Sequence, residues 1–276
     1  MKLIDFDGMF DEKLTQYMEE NKNKYTEKEW EDVIPRLYKK FGDTYVAKVK
    51  CTPKEYYAKM SDAELVETLR AHLQTDVPIP EFLCAETERR DVVETLLSML
   101  FDDTQSAVYA LNLIGDDARA YDAYFTLLEK ETTDEDLKND VIEIFKYHAD
   151  AVKERVLNAY AKKIAPEAML EILSRVKERD ERVFAILLSA FQEDENLAMR
   201  ASFLAAYGDE RALPVLLKRI EDETLGFVQF QELKYAIEAL GGEYNEPRDF
   251  TGDSEYLAVE ASAQKAMRNE NENFRS

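Results

Sequence analysis

Cysteine and histidine are the side chains that most often bind metals or transfer protons, and this chain has two of each. Cys51 and Cys84 stand 33 residues apart, with no Cys-x-x-Cys pair and no histidine at ligand spacing. A structural zinc site needs about four such ligands, so we expect reduced thiols packed among apolar side chains, and no bound metal or other cofactor. His72 shares a helical face with Leu65 and Leu69, which is typical of a residue at the edge of the core.

Carboxylates near the start of the chain form a second set of candidates. LIDFDGMFD (3–11) resembles the nucleophile loop of haloacid-dehalogenase-like phosphatases, and GDDARAYD (115–122) resembles their magnesium-binding segment. The resemblance implies an alternative function, a Mg-dependent phosphohydrolase whose nucleophile, general acid and magnesium ligands are Asp5, Asp7 and the pair Asp117 and Asp122. That chemistry lies at the carboxyl ends of a parallel sheet, yet no βαβ alternation follows, and Met9 stands where threonine is usual.

Composition favours helices along the whole chain. Only eight glycines and seven prolines in 276 residues leave few of the turns that an all-β sandwich or barrel needs. Ala, Leu, Glu and Lys, which favour helices, fill the windows between these breakers. We therefore predict an all-α chain with roughly 70% helix and almost no strand, against a globular average of about a third.

Net charge restricts the classes of partner. The 58 acidic and 36 basic residues give a formal net charge of −22. Because affinity for nucleic acid comes largely from Lys and Arg, and no basic run exceeds two residues, we expect no nucleic acid partner. A protein or peptide partner with basic residues is favoured instead. No apolar run approaches the roughly 20 residues of a membrane span, so we expect a cytoplasmic protein without a membrane partner.

The sequence pattern of residues 1–86 predicts an irregular N-terminal helical region that packs on, or caps, the rest of the chain. Thr26 and Ser61 are each followed three residues later by glutamate, which predicts a capping box and a helix start at both places. Pro35 falls inside the first of these helical patterns. We expect a kink there, or a helix start close to the proline.

Residues 87–242 repeat a pattern of apolar helix, turn and second apolar helix. The successive turns are spaced 33, 31, 29 and 33 residues and lie near positions 115, 148, 179, 208 and 241. A period of about 20 to 50 residues made of helix, turn and helix is typical of an α-solenoid, in which stacking of the units supplies the core.

The stretch YGDERALPVLLKRIEDE (207–223) shows the repeated unit most clearly. Gly208 is placed to end one helix in the left-handed conformation, and Asp209 to cap the next. Pro214 falls near the first turn, where its missing N–H costs least. The Gly-Asp turn and the Ala-x-Pro-x-Leu-Leu pattern resemble HEAT-like repeats of the kind found in phycobilisome lyases and many bacterial scaffold proteins. The resemblance implies a right-handed stack of about four to five helix pairs, with a bilin-lyase-like activity as a further alternative.

Beyond residue 242 the chain becomes rich in turn residues and acids. A last amphipathic pattern then precedes a polar end. Terminal repeats are commonly capped by an atypical polar helix, so residues 243–276 predict a C-terminal capping helix followed by a frayed tail.

The repeats favour a non-catalytic scaffold that binds a protein or peptide through the concave face of the solenoid. In stacked helix pairs the second helix of each unit usually lines that face, and its outward positions do not hold the core. Counting back from the turn glycines gives the candidate binding residues Tyr109, Asn112, Ser202, Tyr235 and Glu238. Tyrosines are rigid anchors that interface hot spots favour.

Overall fold

A computed structural model describes residues 3–193 and 195–273, with side chains described as far as residue 263. Helices make up 70% of the structure and no strand occurs in these residues, so the predicted all-α class and helix content are confirmed. One isolated antiparallel bridge joins Val46 and Cys51. None of the helices in the described ranges combines the length and the apolar character that crossing a membrane requires.

Sixteen α-helices follow one another within the described residues. The first nine are α1 (Phe6–Asn21), α2 (Glu27–Gly42), α3 (Pro53–Ala58), α4 (Asp62–Leu73), α5 (Glu81–Arg89), α6 (Val93–Leu96), α7 (Thr104–Ile114), α8 (Tyr121–Glu129) and α9 (Glu135–Tyr147). The other seven are α10 (Ala149–Ala161), α11 (Pro166–Leu173), α12 (Glu181–Gln192), α13 (Leu197–Tyr207), α14 (Leu213–Ile220), α15 (Phe227–Ala239) and α16 (Ser254–Asn273). Short 3₁₀ segments lie at Leu97–Phe101, Ala118–Ala120 and Glu210–Ala212.

The helices group into two compact units that divide between Lys138 and Asn139, inside α9. The boundaries predicted at residues 86 and 242 stay predictions. The predicted capping helix corresponds to α16, which includes residues 268–273 of the predicted frayed tail. The rest of that tail, residues 274–276, lies outside the described residues.

Aromatic side chains join the N-terminal helices of the first unit. Phe6 of α1 lies edge-on to Tyr57 of α3, with ring centroids 5.7 Å apart. Tyr38 of α2 stacks on Phe82 of α5 at 4.6 Å. Phe6 and Tyr57 are fully buried. Since full burial of one phenylalanine side chain contributes about 1.5 to 3 kcal/mol, these rings form a substantial core for the four helices.

Local signals in the first unit are mostly as predicted. The capping boxes at Thr26 and Ser61 are confirmed, and Thr52 starts α3 with a third one. Of the two alternatives expected at Pro35, the helix start is wrong, because α2 continues through this residue, and the kink stays a prediction. Pro35 is exposed, so the carbonyl of Glu31, which loses its N–H partner to the proline ring, can bond water instead.

In the second unit, consecutive helices pack as pairs. We call α10, α12 and α14 the first helices and α11, α13 and α15 the second helices. Each second helix contacts the first helix of its own pair. Second helices also contact one another, α11 with α13 and α13 with α15. The packing therefore continues from one pair to the next.

The turn between α13 and α14 has the predicted chemistry. Gly208 has φ +73° and ends α13 in the left-handed conformation, which only glycine adopts without strain. Asp209 Oδ1 accepts a hydrogen bond from the backbone N–H of Arg211 at 3.0 Å. Pro214 lies in the first turn of α14. Both predictions for this turn, at Gly208 and Asp209, are confirmed.

The same side-chain contacts recur in three turns, and we call each set an Asp-x-Arg clamp. An aspartate caps the next helical segment, and the arginine two residues later donates through Nε and Nη2 to both of its carboxylate oxygens. The guanidinium also donates to an acid 28 or 30 residues earlier in the chain. The three sets are Asp91 with Asp117 and Arg119, Glu154 with Asp180 and Arg182, and Glu181 with Asp209 and Arg211.

The clamps refine the predicted register and lower carboxylate pKa values. After Gly115 the capping residue is Asp117 and not Asp116, so this turn is one residue longer than the Gly-Asp pattern indicates. Hydrogen bonds from Arg119 lower the pKa of Asp117 to about 2. Hydrogen bonds from Arg182 hold the pKa of Asp180 below its ordinary value.

The two turns without glycine differ in length. His148 alone separates α9 from α10, whereas residues 174–180 separate α11 from α12. The longer turn is held by Asp150, whose Oδ1 accepts from the backbone N–H groups of Lys177 and Glu178 at 3.0 and 3.1 Å. The turns between successive helices thus differ in length.

Candidate functional site

Three of the five predicted binding residues lie on neighbouring second helices. Ser202 is partly exposed on α13, and its hydroxyl donates to the carbonyl of Met199 at 2.7 Å. Tyr235 is 59% exposed on α15, and Glu238 is exposed three residues further along the same helix. Because α13 and α15 pack side by side, these residues belong to adjacent helices.

Two apolar residues that the sequence analysis missed lie on the same helices. Met199 precedes Ser202 by three residues and Val228 precedes Tyr235 by seven, and each is 37% exposed. Positions three and seven apart share a helical face, so periodicity was the signal that could have found them. We call these exposed residues of the two neighbouring second helices the second-helix face. Its members are Met199, Ser202, Val228, Tyr235 and Glu238.

The buried side chains of α15 show which side of this helix is exposed. On α15, Phe230, Leu233 and Ile237 are buried at helical spacing, which leaves Val228 and Tyr235 on the other side. Large hydrophobic side chains are exposed at only eight positions among those described, and three of them lie on this face. Apolar exposure is therefore concentrated here.

Arg200 fixes α13 in place beneath the face. Its side chain is buried, Nη1 donates to the carbonyl of Ala190 at 2.7 Å, and Nη2 donates to Oε1 of Glu167 at 2.6 Å. These partners belong to α12 and α11. One guanidinium thus connects three helices, and the exposed residues of α13 are presented on a rigid element.

Tyr109 and Asn112, the other two predicted binding residues, lie on α7 in the first unit. Asn112 is exposed, but Tyr109 is half-buried, and its hydroxyl lies 3.2 Å from Sγ of Cys84. Burial and this contact raise the pKa of Tyr109. Tyr109 therefore has an internal partner, which makes it a weaker anchor than its position in the sequence indicates.

Both cysteines are free thiols, and Cys51 is buried. Burial raises the pKa of the Cys84 thiol. Because the thiolate is the reactive form, this environment makes Cys84 a poor nucleophile. The structural prediction of packed, unbridged thiols is confirmed.

A groove of about 750 Å³ on the first helices offers a competing surface. Phe191 of α12 and Pro214 and Val215 of α14 supply its apolar part, and Lys218 lies at its side. A larger groove of about 810 Å³ follows α14, and its carboxylates include Glu221, Glu223, Glu246, Asp249 and Asp253. The first of these grooves is a useful control in binding experiments, because its residues lie on different helices from the second-helix face.

The aspartates of the phosphohydrolase alternative have structural partners. Asp5 caps α1 by accepting from the backbone N–H of Gly8 at 2.7 Å, and Asp117 belongs to a clamp. The parallel sheet that this chemistry uses has no counterpart in the described residues. In the same part of the chain, no three metal-ligating side chains lie close enough to hold an ion.

Asp7, the proposed general acid of that alternative, belongs to a partly buried polar cluster. The hydroxyl of Tyr38 donates to Oδ1 of Asp7 at 2.5 Å. Burial raises the pKa of Asp7, although this hydrogen bond opposes the effect. Tyr57 and His72 are buried nearby, and in the described structure the Tyr57 hydroxyl and the Nε2 of His72 have no hydrogen-bond partner. His72 is more deeply buried than the predicted core-edge position.

Comparisons of the chain with protein-family models, with curated proteins and with solved structures found no match. The HEAT-like resemblance therefore stays a prediction. The second-helix face exposes three large hydrophobic side chains on two helices that pack side by side.

Proposed function

We propose that the chain is a non-catalytic scaffold that binds another protein through the second-helix face. The observation that carries the proposal is the exposure of Met199, Val228 and Tyr235 on two helices that pack side by side. Apolar side chains of this size cost free energy when they face water, and clusters of them commonly mark protein-binding surfaces. Tyrosine and methionine are also enriched in the cores of interfaces.

An α-solenoid of HEAT-like helix pairs is the architecture that we propose for this scaffold. The contacts from α11 to α13 and from α13 to α15 support it, because stacked repeats bring equivalent helices together. Bonds between residues about one repeat apart support it as well. Arg182 reaches Glu154 across 28 residues, and Arg211 reaches Glu181 across 30.

The partner that we propose is an amphipathic helix of another protein with basic residues beside its apolar side. Helices of this kind bind in grooves through side chains at spacings of three, four and seven residues. The net charge of −22 attracts a basic segment and accelerates its association at low salt. Free thiols at Cys51 and Cys84 suit action in the reducing cytoplasm.

Selection from a displayed library of random peptides tests this function directly, because the library samples many candidate partner sequences at once. The selected peptides should combine apolar residues at helical spacing with Lys or Arg. A synthetic peptide of the selected sequence should bind more weakly as salt rises. Tyr235→Ala should weaken its binding by at least about 1 kcal/mol, because the ring is an exposed anchor. The melting temperature should change little, since the Tyr235 side chain is mostly in solvent.

Val215→Ala in the groove of the first helices is the matched control and should leave peptide binding unchanged. The proposal fails if the selected peptides are acidic, or if no peptide is enriched. It also fails if Val215→Ala abolishes binding while Tyr235→Ala does not, since the groove on α12 and α14 would then be the binding surface.

A further inference from the structure

A cleft of about 350 Å³ in the second unit has more cations than anions in its walls. It lies between the end of α9 and the turn that precedes α12. The lining side chains are Glu143, Lys146, Tyr147, Arg175 and Lys177. In a chain with a net charge of −22, a cleft with three basic side chains against one carboxylate departs from the average surface.

Two of these cations have no partner among the described residues. Lys146 donates to Glu143 at 2.6 Å and to Glu171 at 2.8 Å, so its charge and that of Glu143 are largely balanced. The side chains of Arg175 and Lys177 make no hydrogen bond or ion pair with the described residues. They are exposed, and they are free to bind an anion.

Tyr147 is the most exposed aromatic side chain in the described structure, at 83%. It is the last residue before the turn at His148. The residues at the same place before Gly115, Gly208 and Gly241 are Ile114, Tyr207 and Leu240, and all three are buried. The residue before the turn is thus part of the core at the three glycine turns, whereas at His148 it is an exposed ring beside the two free cations.

Hydrogen bonds fasten both sides of the turn that carries these cations. Asp150 accepts from the backbone N–H of Lys177, and Arg179 Nη2 donates to the carbonyl of Gly208 at 2.6 Å. Because both sides of the turn are bonded, Arg175 and Lys177 are displayed from a fixed backbone. Such preorganisation lowers the entropy lost on binding.

We propose that this cleft binds a small phosphorylated ligand that carries a planar ring, of the mononucleotide class. The phosphate accepts hydrogen bonds from Arg175 and Lys177, and the ring stacks on Tyr147. A volume near 350 Å³ is at the lower end of the range of about 300 to 1,000 Å³ that is usual for small-molecule sites. The cleft is separate from the second-helix face, so this binding does not depend on the proposed scaffold function.

Calorimetric titration of the full chain with AMP, adenosine, pyrophosphate and free O-phosphotyrosine tests the proposal. AMP should bind, while adenosine, which lacks the phosphate, and pyrophosphate, which lacks the ring, should each bind at least about tenfold more weakly. Failure of AMP to bind at millimolar concentration would overturn the proposal. Binding of O-phosphotyrosine without binding of AMP would show that the mononucleotide class is wrong.

Variants then locate the site. Arg175→Ala and Lys177→Ala should each weaken AMP binding at least about fivefold, and Tyr147→Ala should weaken AMP but leave pyrophosphate unchanged. All three side chains are exposed, so the variants should fold normally, which circular dichroism checks. Lys218→Ala, which removes a cation outside the cleft, is the control. Equal AMP affinity in the three variants and the control would place binding elsewhere and contradict the proposal.

Discussion

The N-terminal part of the first unit and the second unit hold their helices together in different ways. In the N-terminal part of the first unit, a single cluster of aromatic rings joins α1, α2, α3 and α5. In the second unit, similar pairs of helices are joined by contacts that recur about once per repeat, such as the clamps of Arg182 and Arg211. Stability is therefore concentrated in the first arrangement and distributed in the second. One core substitution should be severe, whereas one clamp substitution should be mild.

The largest effect is expected from Phe6→Ala. This ring is fully buried and lies edge-on to Tyr56 and Tyr57 at 5.5 and 5.7 Å. Removing a buried phenylalanine leaves a cavity and should cost about 3 to 5 kcal/mol of the free energy of unfolding. Urea denaturation followed by circular dichroism measures the loss. Phe6→Leu keeps most of the volume and should cost clearly less. A loss below about 1 kcal/mol for Phe6→Ala would show that the aromatic cluster does not hold the helices together.

A smaller effect is expected from Asp209→Ala. The substitution removes the cap that accepts from the N–H of Arg211, and caps of this kind contribute about 1 kcal/mol. Asp209→Asn keeps a capping oxygen and is the matched control, so it should retain most of this stability. The same urea titration compares the two. If Asp209→Ala destabilises the protein as much as Phe6→Ala does, the second unit depends on single contacts and the contrast between the units is wrong.

The smallest effects concern the change of stability with pH, which should have opposite signs in the two regions. Burial raises the pKa of Asp7 above its ordinary value near 3.8, so the folded state favours the protonated acid and its stability falls as pH rises above that value. The Arg182 guanidinium lowers the pKa of Asp180, so that contribution is present above the ordinary value and is lost as pH falls towards the folded pKa.

Urea midpoints between about pH 3 and pH 7 measure both signs when wild type is compared with Asp7→Asn and Asp180→Asn. With rising pH, wild type should lose stability relative to Asp7→Asn and gain stability relative to Asp180→Asn. Asparagine keeps an oxygen for the Tyr38 hydroxyl at position 7, so the comparison isolates the charge. Parallel curves for wild type and both variants would contradict these assignments.

The features that the sequence predicts correctly are governed by neighbours along the chain. Thr26 caps α2 with a glutamate three residues away, and Gly208 with Asp209 determines one turn. Such signals do not depend on tertiary contacts. Helix content follows for the same reason, since propensities and breakers are local properties.

Features that the sequence does not predict depend on residues brought together by folding. Arg119 pairs with Asp91, which precedes it by 28 residues and has no distinguishing pattern. Tyr147 has the same helical register as buried residues before other turns, yet it faces solvent. Likewise, no spacing places Asp7 beside Tyr38, because their helices must first pack.

Hydroxyl-radical footprinting with a selected peptide tests the central claim, that the second-helix face binds a partner. Methionine and tyrosine oxidise readily, so Met199 and Tyr235 report on the face directly, and Tyr147 is an exposed reference outside it. Mass spectrometry should show that the peptide slows oxidation of Met199 and Tyr235 and leaves that of Tyr147 unchanged. Unchanged oxidation of Met199 and Tyr235 at peptide concentrations that saturate binding would contradict the claim.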